Sequence, residues 1–121
     1  MNPRVLFSFN GRSGRLQWWG VTVSLLIVAT MIDALMDLPA TEVFAAIVGI
    51  PFIVLMFWLL TAVSVRRWHD LGKSGWWVCI HAVPVVGPFI AIGANGFVGG
   101  EPEQNRYGPP LQKAPGDAQQ V

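Results

Sequence analysis

The densest group of chemically capable residues is Arg66-Arg67-Trp68-His69-Asp70. On a helix, Arg66 stands four residues before Asp70 and Arg67 three, so both guanidinium groups can reach the one carboxylate. With His69 beside them, the group could bind an anionic ligand or lipid headgroup, or relay protons. The plainer reading is a helix end whose long cationic stems snorkel into headgroups while Asp70 trims their repulsion. A second basic pair, Arg12 and Arg15, sits in Gly11-Arg12-Ser13-Gly14-Arg15. Backbone amides of such a flexible loop can cradle a phosphate oxygen. Each basic residue near an anionic leaflet is worth about 1 kcal/mol. The loop lacks the Lys-Ser/Thr ending of a nucleotide-binding P-loop. Lipid phosphate is therefore the expected contact.

Two further polar residues, His81 and Asn95, fall inside an apolar stretch. Ionisable groups at membrane depth are functional candidates because burying their charge is costly. A neutral imidazole bonded to a neighbouring helix is the commoner outcome. Cys79 and His81 are two residues apart and diverge by about 200° around an α-helix. With one cysteine and two histidines in the chain, no metal site is assigned. The turn-rich segment Asn105-Arg106-Tyr107-Gly108-Pro109 follows the last apolar stretch, and Tyr107 could anchor at an interface. No Ser/His/Asp or paired-carboxylate arrangement emerges. The chain is read as non-enzymatic, with no catalytic residue and no cofactor.

What positions these residues is visible in where charge is missing. The chain has 121 residues, 53% of them hydrophobic and 12% charged, with a net charge of +1. Mean hydropathy is +0.50. Soluble domains carry about 25% charged residues, so an ordinary soluble enzyme is excluded, and so is a polyanion binder; nucleic acid is not an expected partner. Uncharged gaps of 17, 23 and 27 residues follow Arg15, Glu42 and Lys73. A bilayer core about 30 Å thick needs roughly 20 apolar residues in a helix, and lipid forces helix because every backbone group must pair within the segment. Three hydrophobic helices are expected, over about 16–36, 43–65 and 75–98, within one membrane domain of residues 1–113. Residues 114–121 read as a disordered tail. The first gap is too long for a signal-peptide core and offers no small-x-small cleavage site. No piece between gaps approaches the roughly 40 residues a water-soluble core needs.

Residues 1–15 form a polar lead in which Gly11 and Gly14 oppose early helix. Asp37 is a plausible N-cap for the second helix, with Pro39 in its first turn and a kink near Pro51. That helix can run past Arg66 to Leu71, with Gly72 as its stop and Ser74 capping the next helix. The third segment contains Pro84 and Pro88. A single kinked span is the simpler reading and puts the tail opposite the 66–73 loop. A re-entrant hairpin turning there is the alternative and returns the tail. Small-xxx-small pairs Ala45/Gly49 and Gly87/Ala91 permit close packing, within the molecule or between copies. Basic residues flank the N-terminus and the 66–73 loop, whereas residues 33–42 carry only acids, which predicts a cytoplasmic N-terminus. Trp18, Trp19, Trp68, Trp76 and Trp77 gather at the same boundary.

Three blocks resemble a known family. They are Phe9-x-Gly11-Arg12-x-x-Arg15 leading to Trp18-Trp19, then Arg66-Arg67-Trp68-His69-Asp70-Leu71-Gly72-Lys73-Ser74-Gly75-Trp76, then Asn105-Arg106-Tyr107-Gly108-Pro109. Their order and spacing are similar to those of the YhaH-like small bacterial inner-membrane proteins, catalogued as the domain of unknown function 805 family. Gln17 stands where relatives often have Glu, and Pro110-Leu111 replaces the usual Asp-Pro ending. The resemblance implies membrane location and a compact bundle, and brings no biochemical activity.

The combined expectation is an all-α, polytopic membrane helical bundle with three hydrophobic helices, the third Pro-kinked or re-entrant. Its function is expected to be that of a multi-pass bacterial inner-membrane interaction module with a basic, Trp-rich cytoplasmic rim. Its partners would be anionic lipid headgroups, a second copy, or a larger membrane protein. The alternatives are a subunit of a small oligomeric transporter or channel using His81 and Asn95, and a membrane enzyme using His69 and Asp70.

Overall fold

The computed structural model describes residues 3–37 and 42–111. Among them are helix α1 (Pro3–Leu6), α2 (Arg15–Met36), α3 (Glu42–Asp70), a 3-10 helix (Gly75–Ala82), α4 (Val86–Ala91) and a π-helical turn (Ile92–Phe97), with no strand. At 1.5 Å per residue, the 22 residues of α2 and the 29 of α3 extend about 33 and 44 Å. Both contain stretches long and apolar enough to cross a bilayer, and Val86–Phe97 is a shorter apolar piece. The two long helices run antiparallel: Trp18 near the start of α2 bonds Ser64 near the end of α3, and Met36 at the other end of α2 lies against Gly49.

The third apolar segment does not form the single kinked span of the simpler reading. It folds back on itself. Val83 is extended, as a residue before proline prefers. Val86 N–H then donates to the Pro84 carbonyl at 2.8 Å, a three-residue turn that forces Val85 to φ 67°. Pro88 is the third residue of α4, where a missing N–H costs nothing because the first four N–H groups of a helix have no partner within it. The outgoing 3-10 limb rises about 16 Å and the returning limb about 18 Å, each about half a bilayer core. The limbs are tight at Gly87, where a Cβ would collide with the Ile80 carbonyl. Gly87 and Ala91 are both buried, so this small-residue pair serves packing inside the molecule. Glu101 N–H donates to the Asp70 carbonyl at 2.8 Å, so the segment ends where it began.

Other local differences have simple causes. The polar lead contains one helical turn, α1, and α2 starts at Arg15 with Gly14 as its N-cap. Asp37 is the C-cap of α2 rather than an N-cap, and α3 begins at Glu42. Pro39 and the tail 114–121 lie outside the described residues. Helix α3 continues through Pro51 and ends at Asp70; Gly72 takes the left-handed φ of 70° that terminates it. The Ser74 hydroxyl accepts from Trp76 N–H and caps the 3-10 helix.

The packed core sits at one end. Residues 62–70 of α3 are all buried, ringed by the N-terminal lead, the start of α2 and both limbs of the folded-back segment. We call this the clasped end; the opposite end contains, among the described residues, only α2 and α3.

Candidate functional site

The three sequence blocks meet at the C-terminus of α3. That terminus exposes four carbonyls without helical partners and the negative end of the helix dipole. Arg12 and Arg67 converge there on Asp70. Arg12 Nε donates to Asp70 Oδ1 at 2.8 Å, and Arg67 Nη1 donates to Oδ2 at 2.6 Å. Each arginine spends its other nitrogens on main-chain carbonyls. Arg12 Nη1 reaches Glu103 O at 2.9 Å, and Nη2 reaches Glu101 O at 2.5 Å. Arg67 Nε reaches Asn95 O at 2.8 Å, and Nη2 reaches Val98 O. Asp70 and both arginines are buried. Gly100 lies so close to the Asp70 carboxylate that no Cβ would fit.

The tail block closes the arrangement. Asn105 Nδ2 donates to the His69 carbonyl at 2.9 Å and to Glu101 Oε2 at 2.8 Å. The Tyr107 ring stacks on His69, with centroids 3.7 Å apart and planes 4° off parallel, and the Arg106 guanidinium lies 4.8 Å from the Tyr107 centroid. Asn105 and Gly108 form a short bridge that holds the turn. His69 Nδ1 lies 3.1 Å from the Gly11 carbonyl oxygen, which only accepts, so this nitrogen carries the proton. Charge-free residues 43–65 are the part of α3 long enough to span, and His69 lies beyond them. Burial pushes the His69 imidazole below the usual histidine range and the Arg106 charge adds to this, while the bond to Gly11 opposes them.

Arg66 departs from the expected pairing. Its Nε turns back to the Ala62 carbonyl at 3.3 Å, and the guanidinium is fully buried. Arg66 and Arg67 therefore do not snorkel: protein encloses both. Arg15 does lie at the surface, its Nη1 on the Phe97 carbonyl at 3.2 Å. The tryptophans divide. Trp18 and Trp68 are core residues, whereas Trp76 and Trp77 are exposed. Inside the hairpin, His81 and Asn95 come together, Asn95 Nδ2 lying 3.3 Å from His81 Nε2. His81 also lines a groove of about 360 Å³ with Phe57, Leu60, Thr61 and Cys79.

The open space beside the charged cluster is small. A cavity of about 40 Å³ lies among Arg12, Arg15, Asp70 and Glu101, room for water rather than an organic substrate. Among the described residues, no three His, Cys, Asp or Glu side chains are placed to hold a metal ion. Sequence reasoning missed that Arg12, 58 residues from Asp70, is its partner, and that Asn105 caps α3. Neither leaves a local signal, because each pairs residues far apart in the chain.

The comparisons with known proteins agree with the three blocks. The family model described as a protein of unknown function (DUF805) matches residues 6–109. The inner membrane protein YhaH of Escherichia coli K12 is 32% identical over 108 residues, covering 84% of each chain. The inner membrane protein YhaI of the same strain is 28% identical over 105 residues, covering 83% of this chain and 82% of its own. The uncharacterized protein YiiR is 32% identical over 78 residues, 64% of this chain and 51% of its own. No solved structure matches. With most of its length matched by the family model and by a relative above 30% identity, the chain belongs to the DUF805 family.

Proposed function

We propose that this protein is a multi-pass bacterial inner-membrane module without catalytic activity, whose clasped end faces the cytoplasm and engages anionic lipid. The observation that carries the reading is the closed charge network at Asp70. Both carboxylate oxygens are occupied by buried arginines whose remaining nitrogens bond main-chain carbonyls. Groups so engaged hold the chain together and are not presented to a substrate. What remains exposed at that end includes Arg15, Lys73 and Arg106 with the rings of Trp76 and Trp77. That chemistry suits a phospholipid interface, where aromatic rings sit at headgroup level and each cation gains about 1 kcal/mol near an anionic leaflet. The acids Asp33, Asp37 and Glu42 are exposed at the other end, which supports the orientation. The folded-back segment is then a re-entrant hairpin, and the tail leaves on the cytoplasmic side. The relatives named as inner membrane proteins support the same compartment.

The test is lipid composition and topology together. Protein extracted in mild detergent should carry phosphatidylglycerol or cardiolipin enriched over the bulk membrane. Single cysteines at Ser8 and Gln104, introduced after Cys79→Ser, should label only from the cytoplasmic side. Bulk-like lipid with labelling from outside would sink the proposal. A subunit of a small oligomeric transporter or channel is the second reading, favoured by the His81–Asn95 contact. It requires proteoliposome flux that His81→Ala abolishes.

A further inference from the structure

Arg12 and Arg67 are engaged at Asp70, and Arg66 is not. Among the described residues, three guanidinium groups are buried at the clasped end, against one buried carboxylate, Asp70. Both Asp70 oxygens belong to Arg12 and Arg67. Among the described residues, the Arg66 side chain makes one hydrogen bond, from Nε to its own helix, and its Nη1 and Nη2 are enclosed without a partner. A buried cation with no counter-charge and two unpaired nitrogens is among the costliest groups a fold can hold. Water could satisfy its hydrogens but not its charge.

The N-terminal lead runs along the face of α3 that carries Arg66. Trp58, Arg66 and His69 lie on one stripe of α3, spaced eight and three residues apart. Residues 7–13 are tied along that stripe. Trp58 Nε1 donates to the Phe7 carbonyl at 3.2 Å, and the Phe9 ring meets Trp58 edge-on with centroids 4.8 Å apart. His69 bonds the Gly11 carbonyl, and Ser13 N–H donates to the Arg66 carbonyl at 3.1 Å. The strap is thus bonded to the main chain of Arg66, on the stripe of α3 that carries the unpaired guanidinium. Phe7 and Asn10, on the strap itself, are exposed.

We propose that Arg66 is a concealed oxoanion site: the strap of residues 7–13 lifts, and Nη1 and Nη2 take two oxygens of a phosphate group. A guanidinium presents two parallel N–H donors in a fixed fork that matches two oxygens of a phosphate. The anion supplies the counter-charge that the closed form lacks. Its source is the phosphate of a phospholipid or a free phosphate ion. The inference rests on the proposed membrane orientation only for the lipid source.

The experiment is hydrogen exchange at the Ser13 amide in full-length protein held in phosphate-free maltoside micelles. The additions are inorganic phosphate, phosphatidylglycerol, and uncharged diacylglycerol as the control. Exchange should accelerate at least tenfold with a phosphate-bearing addition, stay unchanged with diacylglycerol, and show no response in Arg66→Met. A response to phosphatidylglycerol at concentrations where inorganic phosphate does nothing assigns the lipid. A response to inorganic phosphate assigns the free ion, and would stand even if the lipid reading of the whole molecule failed. Unchanged or slower exchange in the wild-type protein with both overturns the site, as does an equal response in Arg66→Met. Arg66→Gln replaces Arg66→Met if the latter does not fold. Thermal unfolding gives a second readout: without phosphate the Arg66→Met chain should melt higher than wild type, and phosphate should narrow or invert that order. A variant that melts lower by the same margin with and without phosphate would also overturn the site.

Discussion

The two ends of α3 are built on different principles. At the clasped end, residues 62–70 are buried without exception, and ion pairs and hydrogen bonds join segments from both ends of the chain. At the other end, Ile47, Ile50, Ile53 and Val54 are more than 60% exposed, and a groove of about 450 Å³ separates α3 from α2 among Ala29, Ile32, Met36 and Phe52. Both ends carry apolar side chains, and the clasped end adds Ser64, Arg66, Arg67, His69 and Asp70. Apolar surface does not by itself bring helices together when the solvent is lipid, because lipid tails accept it as readily as a neighbouring helix does. Polar groups, which lipid rejects, decide where this chain closes.

Removing Asp70, the one acid buried among the described residues, should have the largest effect. Asp70→Asn leaves Arg12 and Arg67 without counter-charge and should cost about 3–5 kcal/mol, seen as a lowered thermal midpoint in detergent. Asp33→Asn, at the exposed end, should stay within about 0.5 kcal/mol. Close packing comes next. Gly87→Ala drives a methyl into the Ile80 carbonyl and should cost about 1–3 kcal/mol by the same measurement. Gly93→Ala, with nothing within 4 Å, should be neutral or slightly stabilising. Equal losses at the two glycines would mean the hairpin limbs do not touch as described.

A smaller effect sharpens the picture of the hairpin tip. Val85 is a β-branched residue held at φ 67°, a conformation that costs about 1–3 kcal/mol. Val85→Gly removes that strain and gives back about 0.5–1 kcal/mol in chain entropy. A net gain of about 1 kcal/mol is expected, and a loss would argue against the turn. The smallest effect is titration. The folded-state His69 imidazole lies below its ordinary value, so the unfolded chain takes up this proton first, near pH 6.5. The contribution of His69 is therefore complete above about pH 6.5 and is lost as pH falls below it. His69→Gln should flatten that slope in a pH series of thermal midpoints, whereas Asp33→Asn should leave it unchanged.

Much of the candidate site was legible residue by residue and not pair by pair. The blocks around Arg12, Arg66 and Asn105 stand out because charge and turn residues interrupt long apolar stretches. Helical spacing correctly offered Arg67 to Asp70. It offered Arg66 equally, and nothing local tells the two apart. The choice fell to Arg12, which fills the other side of the carboxylate from a segment 58 residues away. Likewise Pro84 and Pro88 marked a break in the third segment, yet a kink and a reversal use the same residues. The tight turn at Val85, the contact of Gly87 with the Ile80 carbonyl and the bond from Glu101 to Asp70 separate them.

The amino-acid order alone determined that this chain is helical and apolar, with α2 and the charge-free part of α3 long enough for a bilayer, because uncharged runs of that length have no other way to satisfy their backbone in lipid. Tertiary structure decided which arginines share Asp70, that the third segment turns back, and that Arg66 is left enclosed without a counter-charge. Those outcomes depend on contacts between residues far apart in the chain, and a carboxylate with two oxygens can be filled only once.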